Sequence, residues 1–271
     1  MATFHCSVSR VSRSDGRSAT AAAAYRAGCM IRDERTGNIY DYRYKQGVEA
    51  SVIFAPSWAQ DPSILWNAAE RAERRKDSKV AREMTLSLPH ELPIEERCKA
   101  AMAMACWLRE EYGVAVQCDV HAPHRNGDKR NTHAHLLFTT RVVGEEGFSA
   151  KTRQLDKSVT ARGEIIKMRR MWAKIANINL EDNGLEERID HRSHEARGIE
   201  VPPTVKLGPA ASALERRGVR THYGDWNRGV RQLANLIAER DALYQWRNKI
   251  AGITDDEHRV FPDEDDDLRP R

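Results

Sequence analysis

Three histidines and one tyrosine have the types and spacing to do chemistry. His133 and His135 flank one small residue in Asn131-Thr132-His133-Ala134-His135-Leu136-Leu137-Phe138, and a β-favouring run continues through Thr139, Thr140, Val142 and Val143. Positions two apart share one face of a strand but point to roughly opposite sides of a helix. A strand over 132–142 therefore sets His133 and His135 side by side, with Leu137 and Thr139 on the same face. Val114 to His121 alternates as well, with Val114, Val116, Cys118 and Val120 on the apolar face and Ala115, Gln117, Asp119 and His121 on the other. The loop 122–131 is basic, contains glycine and joins the two strands as a hairpin, so His121 comes beside His133 and His135. Imidazole is a common ligand for borderline metals, and three neutral ligands leave coordination positions open, as catalytic sites do. A lone histidine is more often a surface or hydrogen-bonded core residue, which is the reading for His90, His124, His194, His222 and His258.

The tyrosine is Tyr25. Thr3 to Ser9 alternates as a strand, Arg10 to Arg17 is an arginine-rich turn, and Ser18-Ala-Thr-Ala-Ala-Ala-Ala-Tyr25-Arg-Ala-Gly28 reads as an alanine-rich helix. Ser14, Asp15 or Ser18 can cap its start, and Gly28 stops it. Ser18, Ala21, Ala22 and Tyr25 share a stripe, so the phenol emerges beside a surface that a backbone can approach closely. Such a hydroxyl can attack a phosphodiester if a metal polarises the phosphoryl oxygens and a base accepts its proton. A sugar hydroxyl then leaves, and the bond energy is kept as a phosphotyrosine ester. Arg10, Arg13, Arg17 and Arg26 surround Tyr25 in sequence, and arginines orient phosphate bidentately. Glu83 and Asp119 fall on polar strand faces and are candidates to hold the histidines in place.

The remaining elements must position these groups. Tyr40, Tyr42 and Tyr44 alternate in a strand or hairpin, and Val48–Phe54 is another strand. A helix starts at Asp61-Pro62 and runs to about Lys76, with Pro62 suited to the first helical position. Ala81–Leu88 is a strand with Met84, Leu86 and Leu88 inward and Glu83, Thr85 and Ser87 on the polar face. Pro93–Glu111 is an amphipathic helix ended by Gly113, and Ser158–Asp182 is a long basic one carrying Arg162, Lys167, Arg169, Arg170 and Lys174. A short helix follows Arg188–Ser193, Val201–Leu207 is extended, and a last helix spans Asp225 to about Ala251. No internal repeat is present.

At 271 residues with 40% hydrophobic content the chain can bury one sizeable domain with an appendage. It has no apolar run near 18 residues and no secretion signal, which excludes membrane insertion from the reading and points to the cytoplasm. Its five cysteines form no C-x-x-C pair, so neither a disulfide framework nor a cysteine zinc knuckle is expected. The net charge of +4 is uneven: residues 254–271 hold eight acids against three arginines, a local −5, which leaves +9 on residues 1–253. A basic body with an acidic tail fits a polyanionic partner, nucleic acid first.

Taken together, His133-Ala134-His135, the upstream His121 and Tyr25 in its alanine helix resemble the MobA/MobL relaxases, conjugative members of the His-hydrophobic-His endonucleases. Gly16-Arg17-Ser18, Glu83 ahead of Leu86-Ser87-Leu88-Pro89, His121-Ala122-Pro123 and Arg188-Ile189-Asp190-His191-Arg192 resemble further family segments. The likeness runs from about residue 1 to 220. It implies an α+β fold, a central antiparallel β-sheet flanked by helices, with the histidines on central strands. It also implies a site- and strand-specific cut at a plasmid transfer origin, with later religation. Tyr25 would be the nucleophile that takes the 5′ phosphate, and His121, His133 and His135 would hold Mg²⁺ or Mn²⁺. Glu83 would be a base or an acid standing behind the metal ligands. The basic loop, with Arg125, Lys129 and Arg130, would join the four N-terminal arginines in contacting DNA. Expected partners are single-stranded and supercoiled plasmid DNA at the origin, accessory mobilisation proteins and a type IV secretion coupling protein, with passage to the recipient attached to DNA. The expected domains are a nicking domain over 1–220, a helical extension over 221–253 and a disordered acidic tail over 254–271. Many longer relatives add a helicase or primase domain that has no counterpart here, so this chain relies on helpers or is a fragment. Three rivals stand beside this reading: a rolling-circle replication initiator, a three-histidine zinc hydrolase and a non-enzymatic DNA-binding protein.

Overall fold

A computed structural model of the chain describes residues 4–123, 125, 127–156 and 158–251. The acidic tail expected over 254–271 lies outside the described residues, as do Thr3 of the first expected strand and His124. Five strands form one fully antiparallel sheet: β1 (Cys6–Ser12), β4 (Val48–Phe54), β5 (Lys79–Ser87), β6 (Val116–His121) and β7 (His133–Thr139), in the order β1-β5-β7-β6-β4. The expected α+β architecture is therefore the one observed, and the two histidine strands are adjacent and internal.

Strand alternation gives the sheet two unlike faces. One carries Met84, Leu86, Val116, Cys118, Val120, Ala134, Leu136 and Phe138 against α3 (Ile94–Tyr112) and α4 (Ser158–Asp182), which supply Met104, Leu108, Met168 and Trp172. On the other, Val11, Ala81, Ala115 and Leu137 pack under α1 (Ala19–Ala27) and α2 (Pro62–Ala72), from which Ala19, Ala23, Leu65, Trp66 and Ala69 enter the core. The alanines of α1 let its backbone lie close to the sheet, and that approach brings its C-terminal end to the histidines. Ser18 caps the helix by accepting from Ala21 N–H at 3.1 Å. At the other end Gly28 adopts φ 64°, and a Cβ there would meet Val48 at 3.3 Å.

Several boundaries differ from expectation. β1 runs Cys6–Ser12 rather than 3–9, because Arg10, Val11 and Ser12 extend the ladder to Arg82, Ala81 and Lys79. The expected alternation holds, since Phe4, Cys6 and Val8 all pack at one core. α2 stops at Ala72 instead of Lys76: Glu73 turns to φ −106°, ψ 109°, where Arg13 takes its carbonyl and Arg141 its carboxylate. The tyrosine segment forms a short hairpin, β2 (Met30–Arg32) with β3 (Ile39–Asp41), that takes in Tyr40 and leaves Tyr42 and Tyr44 beyond it. A second hairpin, β8 (Arg141–Gly144) with β9 (Gly147–Lys151), was not foreseen. The long basic helix, by contrast, has the expected limits.

The chain divides into two units, Met1–His191 and Arg192–Arg271. In the second unit α5 (Gly208–Arg216) and α6 (His222–Ala251) are joined by Glu215, which accepts from Thr221 N–H at 2.6 Å and pairs with Arg228 at 2.7 Å. The Asn227 amide of α6 bonds both backbone groups of Val205, a long-range tether that a proline-interrupted segment did not announce. All five cysteines are free thiols, and among the described residues no helix is long and apolar enough to cross a membrane.

Candidate active site

His121 ends β6, His133 begins β7, and the two face one another across the ladder, with Asp119 opposite His135. The three ring centroids are 5.0–5.5 Å apart. One nitrogen from each imidazole lies within 4.8 Å of the other two. His135 Nδ1 is 2.7 Å from Glu83 Oε1 and His133 Nδ1 is 3.0 Å from the Asn131 carbonyl. Both partners only accept, so each Nδ1 carries the proton and each Nε2 the lone pair, the arrangement that carboxylate–histidine pairs impose on metal ligands. His121 Nε2 meets the Arg26 carbonyl at 2.7 Å and the Lys45 ammonium at 3.3 Å. These two contacts ask for opposite tautomers; the shorter one wins, and Lys45 donates instead to the Tyr25 carbonyl at 2.7 Å. Burial pushes the His121 pKa down to about 4, and Lys45 and the other histidines add to the shift. Neutral imidazole is the ligand form, so this donor set fits a divalent cation.

Glu83 is buried behind the ligands. Burial alone would raise its pKa, but the hydrogen bond to His135 and the adjoining Arg26 guanidinium hold it down to about 2. A carboxylate so acidic is a poor proton acceptor and a good anchor. Asp119 is its opposite. Fully buried and bonded to Ser51 at 2.6 Å and Gln117 at 2.8 Å, it has a pKa raised to about 6 because desolvation outweighs those bonds.

Tyr25 sits at the C-terminal end of α1 and is 51% exposed. Its ring packs edge-on to Tyr42, centroids 5.2 Å apart, with the Lys45 ammonium 4.1 Å from its centroid. Its backbone neighbour Arg26 contacts His121, so the tyrosine's helix end is docked on the histidine strands.

The family-model match decides the affiliation: it covers residues 17–217. The chain belongs to the MobA/MobL family. A mobilization protein MobL of Acidithiobacillus ferridurans is 40% identical over 244 residues, 80% of this chain and 65% of that protein. A conjugal transfer protein TraA of Agrobacterium fabrum is 33% identical over 80% of this chain and 22% of its own length. This MobA/MobL chain thus spans less than two thirds of such relatives. A solved structure described as the molecular basis of vancomycin resistance transfer in Staphylococcus aureus superposes with a TM-score of 0.61 at 30% identity, covering 71% of this chain and all of that one.

The expected DNA-contacting residues of this MobA/MobL chain separate into two groups. Arg10 and Arg17 are exposed; Arg10 pairs with Asp15 at 3.7 Å, and Arg17 reaches Glu83 Oε2 at 3.7 Å from the rim of the site. Arg125, Lys129 and Arg130 are exposed on the loop between the histidine strands, with Arg130 forked onto Asp128 at 2.7 Å. Arg13 and Arg26 are held differently, by partners within the protein. The Arg13 side chain is largely enclosed, bonded to Glu70 Oε2 and to the carbonyls of Glu70, Glu73 and Arg75 at 2.6–2.9 Å. Arg26 is buried on Glu83 at 2.6 Å and on the Ala22 carbonyl at 2.8 Å. A guanidinium whose donors are spent inside the protein does not present them to a phosphate. Lys45 is the residue that sequence reasoning missed. A single lysine between Tyr44 and Gln46 in a basic chain has no local mark, and His121, which it adjoins, lies 76 positions away.

Proposed function

We propose that this chain is the nicking part of a plasmid mobilisation relaxase that cuts one strand of DNA at a transfer origin by tyrosine transesterification. The observation that carries the reading is the contact of the helix end bearing Tyr25 with the three-histidine cluster, through Arg26 O and His121 at 2.7 Å. A divalent ion held by His121, His133 and His135 would polarise the phosphoryl oxygens and disperse developing charge. The Tyr25 hydroxyl attacks phosphorus, the bond to the 3′ oxygen breaks, and the 5′ phosphate is retained on the phenol. The phenol proton leaves for a base or solvent, the 3′ oxygen takes one up, and reversal of the step religates the strand. Glu83 anchors His135 rather than receiving that proton, since its carboxyl is held near a pKa of about 2. Arg10, Arg17 and the loop residues Arg125, Lys129 and Arg130 line the approach for the DNA backbone.

The conjugal-transfer and mobilisation names of the relatives support a transfer origin over a replication origin. Single-stranded and supercoiled plasmid DNA, accessory mobilisation proteins and a type IV secretion coupling protein are the partners this reading requires, in the bacterial cytoplasm and on the way to a recipient. The test is nicking of supercoiled plasmid carrying the DNA that flanks the coding sequence. Mn²⁺ or Mg²⁺ should give open circles, and chelation or His135→Ala should remove them. Equal nicking with and without metal contradicts the reading.

A further inference from the structure

We propose that Lys45 grips a non-bridging oxygen of the scissile phosphate, between Tyr25 and the histidines. The assignment rests on the relaxase reading above and adds a substrate contact to it. Lys45 lies in the connection between β3 and β4, half-buried, where no helix or strand ladder fixes it. Its ammonium nonetheless touches both halves of the site: Tyr25 O at 2.7 Å, the Tyr25 ring centroid at 4.1 Å and His121 Nε2 at 3.3 Å. A phosphate attacked by Tyr25 while held at the three histidines must occupy the space between those groups, which is the space Lys45 adjoins.

Charge accounting points the same way. The enclosed side chains of Arg26 and Arg13 are neutralised by Glu83 and Glu70. Arg17 leans towards Glu83 and Arg10 towards Asp15. Among the described residues no carboxylate lies within ion-pair distance of the Lys45 ammonium. A half-desolvated ammonium with no direct ion pair, on which the buried Asp119 acts only at longer range, stabilises an anion more than a solvated one does, and the transition state of phosphoryl transfer carries extra charge on its non-bridging oxygens. An ammonium has three donors, and only one is committed to Tyr25 O. The competing account is that Lys45 merely steadies the tyrosine ring by a cation–π contact.

The experiment uses the full chain with Mn²⁺ and single-stranded oligonucleotides tiled over both strands of the DNA flanking the coding sequence. Lys45→Met should slow single-turnover formation of the covalent adduct about 100-fold, with an unchanged melting temperature. Lys45→Arg, which keeps the charge, should recover most of that rate. In a Tyr25→Phe background, where no cleavage intervenes, Lys45→Met should reduce the log–log salt slope of binding by about 0.7, the share of one lost single-strand phosphate contact. A normal adduct rate in Lys45→Met overturns the proposal, and so does an unchanged slope, which leaves Lys45 as a ring support only. A Lys45→Arg variant as slow as Lys45→Met overturns it as well. Absence of the adduct from the wild-type protein overturns the relaxase reading itself, and this assignment with it.

Discussion

Two carboxylates near the histidines are tuned in opposite directions, and each has a measurable consequence. Glu83 is ionised, and Arg26 and His135 depend on that charge. Glu83→Gln leaves the Arg26 guanidinium buried without a counter-charge, a loss of about 3–5 kcal/mol of stability. It also removes the acceptor that polarises His135, so Mn²⁺ affinity measured by titration calorimetry should fall about 10–100-fold; unchanged affinity would show that Glu83 does not support that ligand. Asp119 and His121 make a pH pair. Asp119, raised to about 6, binds its proton more readily folded than unfolded, so its contribution is intact below pH about 4 and is lost as pH rises through 6. His121, lowered to about 4, binds its proton less readily folded, so its contribution is intact above pH about 6.5 and is lost as pH falls through 4. The two oppose each other between pH 4 and 6. Asp119→Asn should therefore make urea stability rise more steeply with pH across that window than in the wild type, by up to about 1.4 kcal/mol per pH unit. Equal slopes would deny the raised carboxyl. At this scale the histidines were legible because a period of two fixes a face. The fates of Arg13 and Arg26 were not, since Glu70 and Glu83 each lie 57 positions away in sequence.

Among the elements, α1 decides whether the tyrosine meets the histidines, and Gln117 on β6 seats it. The Gln117 side chain accepts from Trp66 of α2 at 2.6 Å and donates to Ala23 O of α1 at 3.2 Å and to Asp119 at 2.8 Å, all in the interior. Gln117→Leu strands the Trp66 N–H and one lone pair on Asp119, each unsatisfied group costing about 1–3 kcal/mol. Because α1 loses one of its ties to the sheet, beside those of Arg26 to Glu83 and His121, nicking should fall along with stability; a variant that loses stability alone would place α1's seating in the Arg26 contacts. Strand periods and helix caps made most of these elements readable, including the adjacency of His121 to His133. The ends of β1 and α2 were not readable, because they are set by ladder pairing and by Glu73's distant partners rather than by local propensity. The β8–β9 hairpin is masked for a related reason: Val142 and Val143 follow β7 so closely that they read as its end, and only Arg141 and the Gly144-Glu145-Glu146-Gly147 turn mark the new hairpin.

For the whole molecule the charge pattern matters most. Residues 1–253 carry +9 by count, and Arg10, Arg17, Arg125, Lys129 and Arg130 are exposed among the described residues. Oligonucleotide binding should weaken steeply between 50 and 200 mM salt, by about 0.7 in log–log slope for every single-strand phosphate contacted. A flat dependence would return the small-molecule hydrolase to contention. Composition points to the polyanionic partner proposed above but carries no sign of the division of the chain after His191, because the contacts joining 201–207 and α5 to α6 run through single side chains such as Asn227 and Glu215. The central claim, that Tyr25 is the nucleophile of a metal-dependent strand transfer, is tested most directly by a denaturing gel. The full chain is incubated with Mn²⁺ and labelled single-stranded oligonucleotides from the flanking DNA. The account predicts a protein–DNA adduct that survives denaturation in the wild type and is absent from Tyr25→Phe, which still binds the oligonucleotide; an adduct formed equally well by Tyr25→Phe would contradict it.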